Sequence, residues 1–202
     1  VFGTPGLHSA TAVHYALGVE QELSRNVEVS VEPFYKQLDR LDTRVSRPDG
    51  ASESVDVGAG HVVGVESLLR YKPDGRFFGW IAYTLSRSMR RATPSDPLVL
   101  FEFDQTHILT MLGSYRLGRG WEFGARFRYN LSPAFNLWQL NLVAGFHVPV
   151  GSWDPYFGVH GGYSAIGKLG DSSVSGLVTG SSIDQLDVKG FNVGINFGVD
   201  YY

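Results

Sequence analysis

Cysteine is absent from all 202 residues, which excludes disulfide staples and thiolate metal centres. Long apolar runs are absent too. No stretch approaches the roughly 18 residues that mark a membrane-crossing helix. A basic excess is lacking: 17 Lys and Arg stand against 20 Asp and Glu, a net charge of -3, and the pI is near 6.1. That balance argues against a nucleic-acid partner. No charged, then apolar, then small-residue leader opens the chain at Val1, so an envelope protein with this numbering would start after processing or inside a longer precursor. No GxSxG motif places a nucleophilic serine. The glycines at 167–171 lack the strand–loop–helix setting of a phosphate cradle.

What is present is alternation. From Gly190 to Tyr202 one set of alternate residues is Phe191, Val193, Ile195, Phe197, Val199 and Tyr201; the other is Asn192, Gly194, Asn196, Gly198 and Asp200. Successive side chains of a strand point to opposite faces, so this segment has one apolar face and one small, polar face. A soluble sandwich would place longer charged groups on its outer side. Glycine and asparagine suit a crowded barrel interior, and an apolar face of this length ending in aromatics matches a tilted membrane-crossing strand. The mean hydropathy of -0.06 does not oppose this, because alternation halves the apparent hydrophobicity of each strand.

Similar patterns predict strands over Thr11–Ser24, Val27 to about Arg40, Gly58 to about Lys72, Phe77–Ser88, Gln105–Leu117, Trp121–Tyr129, Leu137–Pro149 and Trp153–Ile166. The connections alternate, short after the odd strands and long after the even ones, with long loops over 43–57, 89–104 and 167–189. Outer-membrane barrels have short periplasmic turns and long extracellular loops. The predicted fold class is therefore all-β, a single-domain antiparallel transmembrane β-barrel of about nine strands. Nine is an odd count, and closing it requires a parallel pairing of first and last strands, an extra strand missing at the N-terminus, or a hidden one in 1–10 or 173–180. The chain is then either an oddly closed small barrel or part of a larger one. Open edges in lipid would leave unpaired amides, each costing several kcal/mol.

On this reading the lipid-facing set is Phe123, Phe127, Leu140, Leu142, Phe146, Phe157, Val193, Ile195, Phe197 and Val199. Trp80, Trp121, Trp153, Tyr201 and Tyr202 lie beside the short turns as an aromatic girdle. The lumen receives Glu20, Glu32, Glu66, Arg70, Glu122, Arg126, Arg128, His147, His160, Asn192 and Asn196. A charged pore lining would select ions. A barrel this small is just wide enough for its side chains, which favours a plugged lumen.

Two pieces resemble known families. PGLHSATAVHYALGVEQEL, VSVEPFYKQLDRL and GVESLLRYKPDGRFFGWIAYTLSRS, with Phe103-Asp104-Gln105-Thr106-His107, resemble the C-terminal barrel strands of TonB-dependent receptors, over residues 5–130. LNLVAGFHVPVGSWDPYFGVHGGYSAIG and VKGFNVGINFGVDYY resemble small OmpA-like, porin-family outer-membrane barrels, over 137–202. The resemblance implies an outer-membrane protein of receptor or transporter ancestry, joined near 131–138 to a second kind of barrel fragment. The receptors' plug and TonB-contact segment have no counterpart in these residues. Its implied partners are outer-membrane lipids, the outer-membrane insertion machinery and a small-molecule ligand at the extracellular loops. The alternative is a filled structural or adhesive barrel without transport.

Candidate chemistry is sparse. Asp104 and His107 form either one arm of an acid–base pair or a loop-to-strand anchor, and the anchor is favoured. Centring a turn near Gly151 pairs His147 with Tyr156 and His160 with Val143, too far apart to share a metal. No cofactor, metal site or catalytic set is expected; a hydrolase would need a nucleophile that no motif supplies.

Overall fold

The computed structural model describes residues 6–46, 50, 52–73, 75–132, 135–167 and 188–201. Its elements are β1 (Thr11–Ala16), β2 (Val19–Glu22), β3 (Val27–Ser46), β4 (Ser52–Tyr71), β5 (Phe77–Arg91), β6 (Val99–Leu100), β7 (His107–Gly118), β8 (Trp121–Leu131), β9 (Asn136–His147), β10 (Trp153–Gly167) and β11 (Val188–Tyr201). All belong to one antiparallel sheet in the order β1-β3-β4-β5-β7-β8-β9-β10-β11. β2 also pairs with β3, and β6 pairs with β5. The expected first strand is thus broken at Leu17–Gly18 into β1 and β2, which share one position. Nine positions cross the sheet, as the alternation implies. Among the described residues nothing pairs β1 or β2 with β11, so the sheet is open where a closed barrel was expected.

Register carries the alternation across the whole sheet. Leu69, Ile81, Met111, Phe127, Leu140, Tyr163 and Phe191 form one continuous cross-strand row. The adjacent row on the other face is Glu28, Arg70, Trp80, Leu112, Arg126, Asn141, Gly162 and Asn192. A one-residue slip anywhere would exchange the faces. Tight turns fix it: Gly118, Arg119 and Gly120 all adopt positive φ between β7 and β8, and Val150 pairs with Trp153 around Gly151. The turn at Gly151 sets His147 opposite Tyr156 and His160 opposite Val143, as the sequence predicts.

The apolar face covers no core. Among the described residues Ala165 is the one buried apolar side chain, while Phe197 is 80% exposed and Val193 86%. The expected lipid-facing residues share this face, with Phe127 and Phe146 half-buried between neighbours. Trp80 does not join the girdle. It pairs with Arg70 and Leu112 and lies on the polar face; nearness to a short turn fixed its level but not its side. Tyr71 and Phe77, whose rings are 5.3 Å apart, take its place. Trp121 stacks on Phe123 and meets Phe146, and Trp153 meets Tyr201 at 5.0 Å. Tyr202 lies outside the described residues.

The glycines of the polar face make room for rings. His160 pairs with Gly194 and Tyr156 with Gly198, and each ring lies where a glycine Cβ would be. Phe34 covers Gly64 in the same way. Overpacking such a contact costs about 1–2 kcal/mol, so Gly194→Val and Gly198→Val are each expected to lower the urea midpoint of the folded chain. The readout is tyrosine and tryptophan fluorescence during unfolding from detergent or vesicles.

One expected loop is largely strand and a second is partly so. β3 runs to Ser46 and β4 begins at Ser52, so most of 43–57 extends their hairpin. Register shifts at Asp39/Leu41 and Leu41/Thr43 let β3 continue beyond Arg40, which adopts positive φ. The 89–104 stretch contributes the end of β5 and the short β6. Residues 1–5, most of the 167–189 loop and the suggested strand at 173–180 lie outside the described residues.

Candidate functional site

The polar face carries three groups of side chains. At the short-turn rim, Lys72 extends from the residue after β4 to bind Glu22 of β2 and Glu28 of β3, the latter at 2.9 Å. Arg70 reaches the same Glu28 at 3.3 Å. Glu28 is buried, so its carboxylate has little water to lean on and depends on these two cations. The hydrogen bond from Lys72 to Glu22, then that to Glu28, raises the lysine pKa above its ordinary value. A raised lysine pKa adds stability below the ordinary value, and that stability is lost as pH rises through the folded-state pKa. Lys72→Met is expected to lower urea stability at pH 7 and to flatten its fall above about pH 10.4.

The second group spans β7–β11, where Arg116, Glu122, His147 and Asn196, with Arg126, line a cleft of about 400 Å³. Arg116 Nε donates to Glu122 Oε2 at 3.1 Å, and His147 Nε2 stands 3.8 Å from the same oxygen. His147 Nδ1 is 3.1 Å from Asp154 Oδ2. Deeper in, His160 Nδ1 lies 2.8 Å from Asn196 Oδ1, Asn192 Nδ2 donates to Asn141, and Gln139 Nε2 donates to Ser164 at 3.0 Å. Chains of this kind fix side chains in place and suit a packed polar interior.

The third group has no such partners. Glu32 pairs directly with Glu66 across β3 and β4. Arg126 and Arg128 stand two residues apart on β8, beside Asn141 and Gln139 of β9. Glu20 lies on β2, opposite Ser30. Of the expected lumen residues, the structure joins Arg70, Glu122, His147, His160, Asn192 and Asn196 into networks; it leaves Glu20, Glu32, Glu66, Arg126 and Arg128 outside them.

Asp104 and His107 separate. Asp104 is 2% exposed, and its carboxylate accepts from the Ser88 backbone N–H and the Thr106 hydroxyl, both at 2.7 Å. His107 sits on the apolar face, 2.8 Å from the Tyr83 hydroxyl. The anchoring role is the one the geometry supports: Asp104 pins the 92–106 connection to β5. Arg90 adds a second clamp, its guanidinium 3.4 Å above the Phe101 ring.

Sequence reasoning missed Lys72, Arg116, Asp154, Asn141 and Ser88. Lys72 sits past the end of β4, where alternation gives no signal, whereas Arg116 falls on the polar phase of β7 and pairs with Glu122. Asn141 and Asp154 were legible, since both fall on the polar phase of their strands. Comparisons with protein families, with curated proteins and with solved structures find no match for this chain.

Proposed function

We propose that this chain is an integral outer-membrane β-barrel of TonB-dependent receptor ancestry, passive or ligand-recognising at its long-loop end, without a catalytic role. The carrying observation is the exposed apolar face, continuous over nine strand positions and without a core beneath it. In water such a surface far exceeds the apolar patch a soluble monomer carries. Against hydrocarbon it is the favourable side, and the antiparallel ladders satisfy the backbone within the sheet. The aromatic band beside the short turns belongs at an interface. Closure brings β11 beside β1 and β2 in parallel and removes both edges. Lipids and the insertion machinery of the outer membrane are the partners this reading requires.

With 43–57 mostly paired, ligand recognition falls, among the described residues, to the 92–106 connection. A second reading, a filled structural barrel without transport, is favoured by the rings seated over Gly194 and Gly198 and by the linked side chains around His147. Reconstitution separates the readings. The chain should resist alkaline carbonate extraction and migrate faster on gels unheated than boiled. Steady channels in planar bilayers support a pore, silence supports the filled barrel, and extraction by carbonate removes both.

A further inference from the structure

We infer that Arg126 and Arg128 of β8 form an ion-paired bar across the lumen with Glu32 of β3 and Glu66 of β4. This rests on the barrel reading. Four observations converge on it. First, none of the four has an ion pair or side-chain hydrogen bond within the sheet, although the neighbouring Glu28, Arg70, Arg116 and Glu122 all do. Second, each pair is unfavourable alone: Glu32 and Glu66 are direct cross-strand partners, where like charges repel, and the two arginines share a face two residues apart.

Third, the depths agree. Glu32 stands five residues from the short-turn end of β3 at Val27, Glu66 five from Tyr71, and Arg126 five from Trp121. That is about 16 Å along each strand. Arg128 is one step deeper. Fourth, the angular positions oppose. β8 lies three positions from β4 and four from β3 in the sheet. In a nine-position barrel this is about 120–160° around the axis. A lumen just wide enough for side chains then brings long guanidinium and carboxylate arms together, with two charges of each sign and no net charge. All four side chains are exposed on the open sheet; closure takes them from water, where a carboxylate left without its cation would be uncompensated.

Conductance and cross-linking test the bar together. Arg126→Met, Glu66→Gln and the reversal Arg126→Glu are each expected to raise single-channel conductance about threefold or more. Arg126→Glu combined with Glu66→Arg should return it to the wild-type level. Because the chain has no cysteine, Glu66→Cys with Arg126→Cys gives a clean pair. A short bifunctional maleimide should link them within one molecule and shift its unboiled mobility. Variants that stay heat-modifiable yet conduct as wild type, or a cysteine pair that links only between molecules, overturn the bar while leaving the barrel. Wild-type protein washed out by carbonate overturns both.

Discussion

Arginine at Leu142 is expected to lower the stability of the folded chain in vesicles by about 2–4 kcal/mol, the penalty for a cation at mid-bilayer on a strand's lipid face. The same substitution at the next residue, Val143, is expected to cost less than about 1 kcal/mol, as at a wet or interfacial site. The pair is chosen because water would not distinguish them. Both are apolar and exposed, Leu142 at 57% and Val143 at 37%, and they are consecutive on β9. Only their faces differ. Leu142 pairs with Ala125 and Gly161 on the apolar side, five residues from the short-turn end at His147. Val143 pairs with Gly124 and His160 and lines the polar cleft, where glycine leaves room for the longer side chain. Urea titration of both variants in lipid vesicles measures the difference. Equal costs at the two positions would remove the membrane reading, because no asymmetry of solvent would remain between the faces.

On the membrane reading, the same asymmetry explains how much of this molecule was legible in its sequence. Strands whose one side meets an apolar medium must alternate strictly, so β8 and β11 announce both their limits and their faces. Once a strand leaves that medium the constraint ends. Thr43, Arg44, Val45 and Ser46 continue β3 with no apolar phase to mark them, and the hairpin they form with β4 reads as a loop. Level and face are also separate properties. Trp80 follows a short turn closely, as Trp121 and Trp153 do, but its parity in β5 places it with Arg70 and Leu112. The register of β9 against β10 was legible because a single tight turn at Gly151 leaves one pairing. The rim cluster was not, since Lys72 sits past the end of β4 and meets Glu22 and Glu28 only after two turns have closed. The broken first strand has a local cause on neither face's pattern: at Leu17 the ladder gives way to a single bond from its N–H to Pro33, whose ring has no N–H to return.

Asp104→Ala is expected to destabilise the chain by about 3 kcal/mol, the sum of two charge-assisted hydrogen bonds at about 1.5 each. It should also release the 92–106 connection. The carboxylate is enclosed at 2% exposure, so water does not replace it when it is removed. The Ser88 N–H and Thr106 hydroxyl then lose their acceptor. The other ties of the connection are each single contacts: Ser86 N–H to the Thr106 carbonyl, Ser86 hydroxyl to the Gln105 carbonyl, Phe101 N–H to the Ser88 carbonyl, the two residues of β6 on β5, Arg90 over the Phe101 ring, and Thr43 and Arg91 to the carbonyls of Ala92 and Pro94. Losing the central one should therefore free the segment before the sheet unfolds. Asp104→Asn keeps the shape and one acceptor oxygen and is expected to lose about half as much. Limited proteolysis reads the release, because Arg90 and Arg91 flank the connection: trypsin should cut the alanine variant there at denaturant concentrations where the parent is intact. An unchanged tryptic pattern in Asp104→Ala would assign the buried carboxylate no anchoring role. It would also return His107, three residues along and now free of any acid partner, to the question of what Phe103-Asp104-Gln105-Thr106-His107 is for.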